Sequence, residues 1–202
     1  MNLISHPWNI VFLLGFVVYV GIRSVFERRT RGNKKKSSRF DGLEKALLLV
    51  VLLGGLVVPV LYLMTPLLSF ADYDLPSLVP WCGTAVMLIA LWLFWRSHTD
   101  LGQNWSVSLE VREEHELITG GIYRAIRHPM YASIWLWSLS QAMLLENWLA
   151  GGSALVTFAP LYFVRAPREE SMMCEFFGEE YRAYMGRTGR IFPRVDTTKD
   201  QP

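Results

Sequence analysis

The chain has 202 residues, a formal net charge of +2 and only 19% charged residues, fewer than the roughly 25% of a soluble domain. Apolar residues make up 51% and the mean hydropathy is +0.23, so a disordered chain is excluded. Two cysteines, Cys82 and Cys174, cannot build a disulfide scaffold. Such a length holds one ordinary domain or one small membrane bundle.

The charge pattern selects the bundle. The twenty Lys and Arg residues fall in three blocks, nine from Arg23 to Lys45, four from Arg96 to Arg127 and seven from Arg165 to Lys199. Between them, 26 residues from 46 to 71 and 21 residues from 75 to 95 carry no charge. A bilayer core of about 30 Å needs about 20 helical residues to cross. The fold class expected is therefore all-α, an integral membrane bundle of about five transmembrane helices.

In chain order, the first helix is expected at 4–25. His6, Pro7 and Asn9 stand at its start. Its positive charges follow the apolar run, the reverse of a cleaved signal peptide, so it is read as a retained span. The second and third helices are expected at 46–69 and 76–95, with an outer loop holding Asp72 and Asp74. Residues 129–164 contain one charge, Glu146. A charge and an Asn avoid hydrocarbon, so Glu146 and Asn147 should hinge a fourth helix at 130–146 and a fifth at 148–165. The segments 26–45, 96–129 and 166–202 then lie on one side with every Lys and Arg, a complete positive-inside partition. The whole chain, 1–202, is read as one membrane-embedded domain, with the N-terminus outside and the C-terminus in the cytoplasm.

Lys34-Lys35-Lys36 reads as a topology determinant rather than a nucleic-acid patch, and anionic membrane lipids are its natural partners. No nucleic-acid partner is expected. Two cytoplasmic segments, 96–128 and 165–202, are too long to be mere turns, and any water-soluble chemistry belongs there. Residues 170–185 show helical spacing, and Gly178 should break that helix. Pro167 is expected to start it, which would put Glu169 and Glu170 in a first turn, where carboxylates suit the helix dipole. Pro129 should keep His128 outside the helix that follows. No metal-ligand spacing, phosphate loop or nucleophile elbow is present.

At Gly120-Gly121-Ile122-Tyr123-Arg124-Ala125-Ile126-Arg127-His128-Pro129-Met130-Tyr131 the chain resembles the isoprenylcysteine carboxyl methyltransferase family and the related phospholipid methyltransferases. The second half of the signature follows as Arg165-Ala166-Pro167-Arg168-Glu169-Glu170, Phe177-Gly178-Glu179-Glu180-Tyr181 and Thr188-Gly189-Arg190. The stretch Asp100-Leu101-Gly102-Gln103-Asn104-Trp105-Ser106 looks like the bacterial branch. The similarity covers about residues 98–194, and the positive-inside topology together with the bacterial-looking motifs points to a prokaryotic inner membrane as the location.

That resemblance implies an enzyme using S-adenosyl-L-methionine in a cytoplasmic pocket. His115, Glu116, Leu117 and Ile118 would supply a strip along the cofactor, and Tyr123 would touch it. His128, Pro129, Met130 and Tyr131 would close around it, and Glu169 would bind it. Arg165 would meet a lipophilic acceptor, most simply a carboxylate. The residues agree with this: in-line methyl transfer needs alignment more than acid–base power, and a guanidinium fork suits a carboxylate. Snorkelling at a helix end is the plainer reading of Arg165 alone. The alternatives are N-methylation of a phospholipid amine, which needs a base, a membrane reductase, and a non-enzymatic membrane protein.

Overall fold

The computed structural model describes residues 6–30, 35–38, 41–102, 110–112 and 117–194. Helix α1, Pro7–Thr30, opens on a proline and ends on Arg28 and Arg29, cations placed well for the C-terminal dipole. Helix α2, Gly42–Leu52, is capped by Asp41, whose side chain accepts the Glu44 N–H at 2.8 Å. It runs through a wide turn, Leu53–Val57, into α3, Val58–Met64, so that Gly42–Met64 forms one long apolar run.

The wide turn has a local cause. Pro59 has no N–H and its ring crowds the carbonyl one turn back, so the ladder loosens into an i+5 pattern. The Gly54 carbonyl accepts Ser153 Oγ at 2.6 Å and Gln141 Nε2 at 3.4 Å, the compensation a non-aqueous interior requires. Gly54 is also a close-approach point. A Cβ there would lie 2.7 Å from the Ser153 carbonyl oxygen and 2.2 Å from Thr157 Oγ1, so only glycine lets these backbones meet.

Helix α4, Leu78–Leu101, is followed by a short turn, Gly121–Arg124, and by α5, Pro129–Leu144. His128 stands outside α5 with φ −122° and ψ 60°, as Pro129 dictates. The turn at Glu146 and Asn147 is present. Asn147 caps α6, Trp148–Phe177, by accepting the Leu149 and Ala150 N–H groups at 3.1 and 2.9 Å.

Pro167 does not begin a new helix. It lies inside α6, which continues for 30 residues with Pro160 and Pro167 both internal. The fifth span therefore extends well past 165, and Glu169 and Glu170 sit inside a helix rather than in a first turn. Packed membrane helices absorb an internal proline through neighbouring side chains and small local adjustments, and α6 is held to α2 on both sides of Pro167 by Arg165 and Arg168. Gly178 ends α6 at φ 59°, and α7, Glu179–Arg187, follows.

Among the described residues, four runs are long and apolar enough to cross a membrane: Pro7–Arg29, Gly42–Met64, Leu78–Leu101 and Trp148–Phe177. Helix α5 has 16 residues, about 24 Å at 1.5 Å per residue, shorter than an average hydrocarbon core. It packs along α4 and α6. One core cluster holds Phe12, Tyr62, Leu63, Met87, Trp137 and Leu144; another holds Tyr131, Phe158, Leu161, Tyr162 and Ala166. Leu14, Val17, Trp92, Val156 and Phe163 point outward and exposed, which suits lipid as the surrounding solvent. The protein is thus a multi-pass integral membrane bundle.

The two ends of the bundle differ. One end gathers the short loops: His6 pairs with Glu146 at 2.8 Å, and Asn147 Nδ2 donates to Asp72 Oδ1 at 2.7 Å. The other end gathers the C-terminal ends of α1, α4 and α6, the N-terminal ends of α2 and α5, and α7. Every described Lys and Arg belongs to the segments of this end. A small antiparallel ribbon also joins two of its loops, β1 (Lys35–Ser38) with β2 (Glu110–Arg112).

Candidate functional site

The basic end is built outward from α4. Asp100, in its last turn, holds Arg96 at 2.8 Å and accepts the Ile122 N–H at 2.8 Å. That second bond fixes the start of the turn carrying Tyr123. The Tyr123 hydroxyl donates to the Ser97 carbonyl at 3.4 Å, and its own carbonyl accepts the Tyr184 hydroxyl at 2.6 Å. Burial first, and the Glu169 carboxylate second, push the Tyr123 phenol well above its ordinary range. It therefore stays a neutral donor.

The segment after Tyr123 is stitched to the C-terminal segment by backbone. Arg127 N–H donates to the Gly189 carbonyl at 2.8 Å, His128 N–H to the Arg190 carbonyl at 2.9 Å, and Gly189 N–H to the Ala125 carbonyl at 3.3 Å. This parallel pairing brings Arg127, His128 and Arg190 to one place, although 62 positions of chain separate His128 from Arg190.

Glu170 is the anion they share. Its Oε1 accepts Arg127 Nε at 3.1 Å, His128 Nε2 at 3.2 Å and Arg190 Nε at 3.1 Å; its Oε2 is bound by Arg190 Nη2. Arg127 also reaches the Met185 carbonyl at 3.1 Å and the Thr188 carbonyl. Glu170 and His128 are both buried. A carboxylate with this many charge-assisted partners is a fastener.

Glu169, one position earlier on α6, faces differently. Its Oε2 accepts the Tyr131 hydroxyl at 2.6 Å. The Tyr131 ring stacks on His128, with centroids 5.3 Å apart and planes at 22°. Arg165, one turn before Glu169, pairs with Glu44 of α2 at 3.2 Å. Arg165 and Arg168 line a small cleft with Glu44, Leu47, Leu161 and Val164. The arrangement offers a carboxylate, two aromatic rings, and a guanidinium beside an apolar wall.

The structure thus brings Arg165, Glu169, Tyr131, His128 and Pro129 into one neighbourhood, with Met130 between the last two on α5. Leu117 and Ile118 lie half-buried on the approach to the Tyr123 turn. Tyr123 is buried with its hydroxyl on backbone. His115 and Glu116 lie outside the described residues. Sequence reasoning missed Glu44, because nothing in the sequence pairs a carboxylate at the head of α2 with an arginine 121 positions later. It also gave no role to Asp100 or Arg190, whose partners in other segments, the Ile122 N–H and Glu170, lie 22 and 20 positions away.

Residues 82–175 match the isoprenylcysteine carboxyl methyltransferase (ICMT) family. The human protein-S-isoprenylcysteine O-methyltransferase is 33% identical over 96 residues, covering 48% of this chain and 34% of that one. Enzyme B of Arabidopsis thaliana is 31% identical over 101 residues, 50% of this chain and 49% of that one. A probable enzyme of Oryza sativa subsp. indica is 27% identical over 114 residues, 56% of this chain and 57% of that one. The chain therefore spans between about a third and somewhat over half of the length of these relatives. The solved structure of a eukaryotic intramembrane Ras methyltransferase of this family superposes with a TM-score of 0.56 at 20% identity, over 96% of this chain and 70% of that one. That likeness supports the all-helical membrane fold. The ICMT-matching segment runs from early α4 to late α6 and contains Tyr123, His128, Tyr131, Arg165, Glu169 and Glu170.

Proposed function

We propose that this protein is an S-adenosyl-L-methionine-dependent methyltransferase of ICMT type, acting on a lipophilic carboxylate at the cytoplasmic membrane face. The observation that carries the reading is the placement of Arg165 in a cleft walled by Leu47, Leu161 and Val164, one helical turn from Glu169. A guanidinium beside an apolar wall fits a carboxylate head on a greasy tail. An amine acceptor would meet two arginines, Arg165 and Arg168, in the same cleft, which disfavours the phospholipid N-methylation alternative.

The residues fit the cofactor's chemistry. Glu169 is an anion for an ammonium group, the Tyr131 ring offers a π face to a cation, and α5 begins with no side-chain cap, leaving N–H groups for a carboxylate. S-adenosyl-L-methionine, when bound, supplies a methyl group on a sulfonium, and transfer to a carboxylate forms an O–C bond as the S–C bond breaks. An anionic acceptor needs no base, so the chain's task is alignment and the exclusion of water. Tyr131 holds Glu169 in place, Arg165 holds the acceptor head, and Glu170 keeps the His128 turn shut against the C-terminal segment.

Calorimetry of the detergent-solubilised protein should show S-adenosyl-L-methionine and its demethylated product binding at micromolar concentration. Glu169→Ala should weaken both by at least about tenfold, the size of one lost charge-assisted bond, and Tyr131→Ala by less. Unchanged affinity in both variants would remove the cofactor assignment.

We also propose that the basic end is cytoplasmic, because the positive-inside bias is complete, and that the membrane is a prokaryotic inner membrane. In whole cells, a cysteine replacing Tyr73 should react with an impermeant maleimide. One replacing Lys35 should react only after lysis. The opposite pattern would invert the topology.

A further inference from the structure

We propose that Glu44 is a resident carboxylate that occupies the acceptor's place on Arg165 and must be displaced before methyl transfer, making it a positioning and specificity residue. This rests on the reading of Arg165 as the acceptor-binding residue.

Glu44 lies in the first turn of α2, with 2% exposure. Its Oε1 is 3.2 Å from Arg165 Nη1, and both side chains line the cleft whose other walls are Leu47, Leu161 and Val164. A carboxylate beside an apolar wall and on a guanidinium is the same chemical arrangement the acceptor would make. The helix dipole explains why a carboxylate is favoured in this turn, but not why it is buried against the arginine. A second pair, Arg168 with Asp41 at 3.0 Å, lies at the exposed rim, and Asp41 also caps α2. The start of α2 is therefore held to α6 at two points. The outer one is solvated and weak. The inner one is buried, and a buried charge is strongly penalised if left without a partner.

Two consequences follow from this arrangement. Glu44 holds an Arg165 nitrogen while the cleft is empty, so a small anion meets an existing ion pair there. An incoming carboxylate must also replace an existing ion pair, so a head group without full negative charge is rejected. Acceptor affinity is lowered in exchange for selectivity.

The experiment uses the full chain in detergent with N-acetyl-S-isoprenylcysteine as the probe. Turnover is measured with S-adenosyl-L-methionine, and probe binding with the demethylated cofactor. Glu44→Gln keeps the shape and removes the competing charge. It should lower both the probe KM and its Kd by at least about fivefold, roughly one lost competing pair, with little change in kcat or in cofactor affinity. Glu44→Asp withdraws the carboxylate by one methylene and should shift KM in the same direction by less; if Glu44→Gln does not fold, this variant carries the test. A purely structural Glu44 would raise KM or leave it unchanged, and either result overturns the proposal. Probe binding in no variant, Glu44→Gln included, overturns it as well. Arg165→Ala that binds and methylates the probe like the native protein would instead defeat the acceptor assignment of Arg165.

Discussion

Arg165→Ala should abolish turnover while leaving cofactor binding nearly intact. Arg165 is the cation of the cleft nearest to Glu169 and Tyr131, and the acceptor carboxylate would depend on its fork. Loss of one preorganised charge-stabilising group costs about 10²–10³ in rate. A bidentate anchor that also sets the attack geometry belongs at the upper end or beyond. Arg165→Lys keeps the charge but not the planar pair of donors, so its loss should be intermediate.

One complication is built into the site. Removing Arg165 alone takes one cation away from the buried Glu44 carboxylate, which destabilises the bundle. The double variant Arg165→Ala with Glu44→Gln removes both charges and separates the two effects. It should melt close to the native protein in detergent, bind the demethylated cofactor, and still fail to turn over. Recovery of activity in the double variant would mean that Arg165 acts only by neutralising Glu44. Loss of cofactor binding in a folded double variant would mean that Arg165 belongs to the cofactor site.

Glu170→Ala should give the largest effect on stability. It leaves Arg127, His128 and Arg190 gathered around a missing anion, with the Arg127 and His128 side chains only 9% and 4% exposed. Breaking a buried pair by removing one partner costs about 3–5 kcal/mol, although the Arg190 share is reduced because its side chain is 42% exposed. Because these same groups hold residues 125–128 to residues 189–190, cofactor affinity should fall together with the melting temperature. Glu169→Ala makes the contrast, since the hydrogen bond Glu169 accepts is from the Tyr131 hydroxyl rather than from a cluster of cations, and its loss should reduce affinity with little change in melting. If Glu170→Ala melts like the native protein, the fastener role is wrong. If both variants lose affinity at equal stability, the two glutamates share one function.

Adjacent glutamates with different tasks show where sequence reading stops. On an α-helix, neighbouring positions point about 100° apart. A helix starting at Pro167 would put Glu169 and Glu170 together in its first turn. Inside a continuous α6, one faces α5 and Tyr131 and the other faces the C-terminal segment. The rule for water, where an internal proline leaves a carbonyl unsatisfied, predicts a helix start at Pro167. In a packed membrane helix, neighbouring groups absorb that defect.

The membrane character, the turn at Glu146 and Asn147, the exclusion of His128 from α5 and the break at Gly178 were all legible in the residues alone. Each depends on local chemistry: charge-free length, the avoidance of hydrocarbon by polar groups, the steric demand of proline on its neighbour, and the freedom of glycine at positive φ. The family signature was legible for the same reason, being a set of residue types at short, fixed spacing. Only the tertiary structure decided the partners. Glu44 with Arg165, Glu170 with Arg190, and Asp100 with the Ile122 N–H are electrostatic choices between segments that the chain brings together after its apolar faces have packed. Any buried arginine in the sequence could serve any buried carboxylate, and helix packing selects which of them meet.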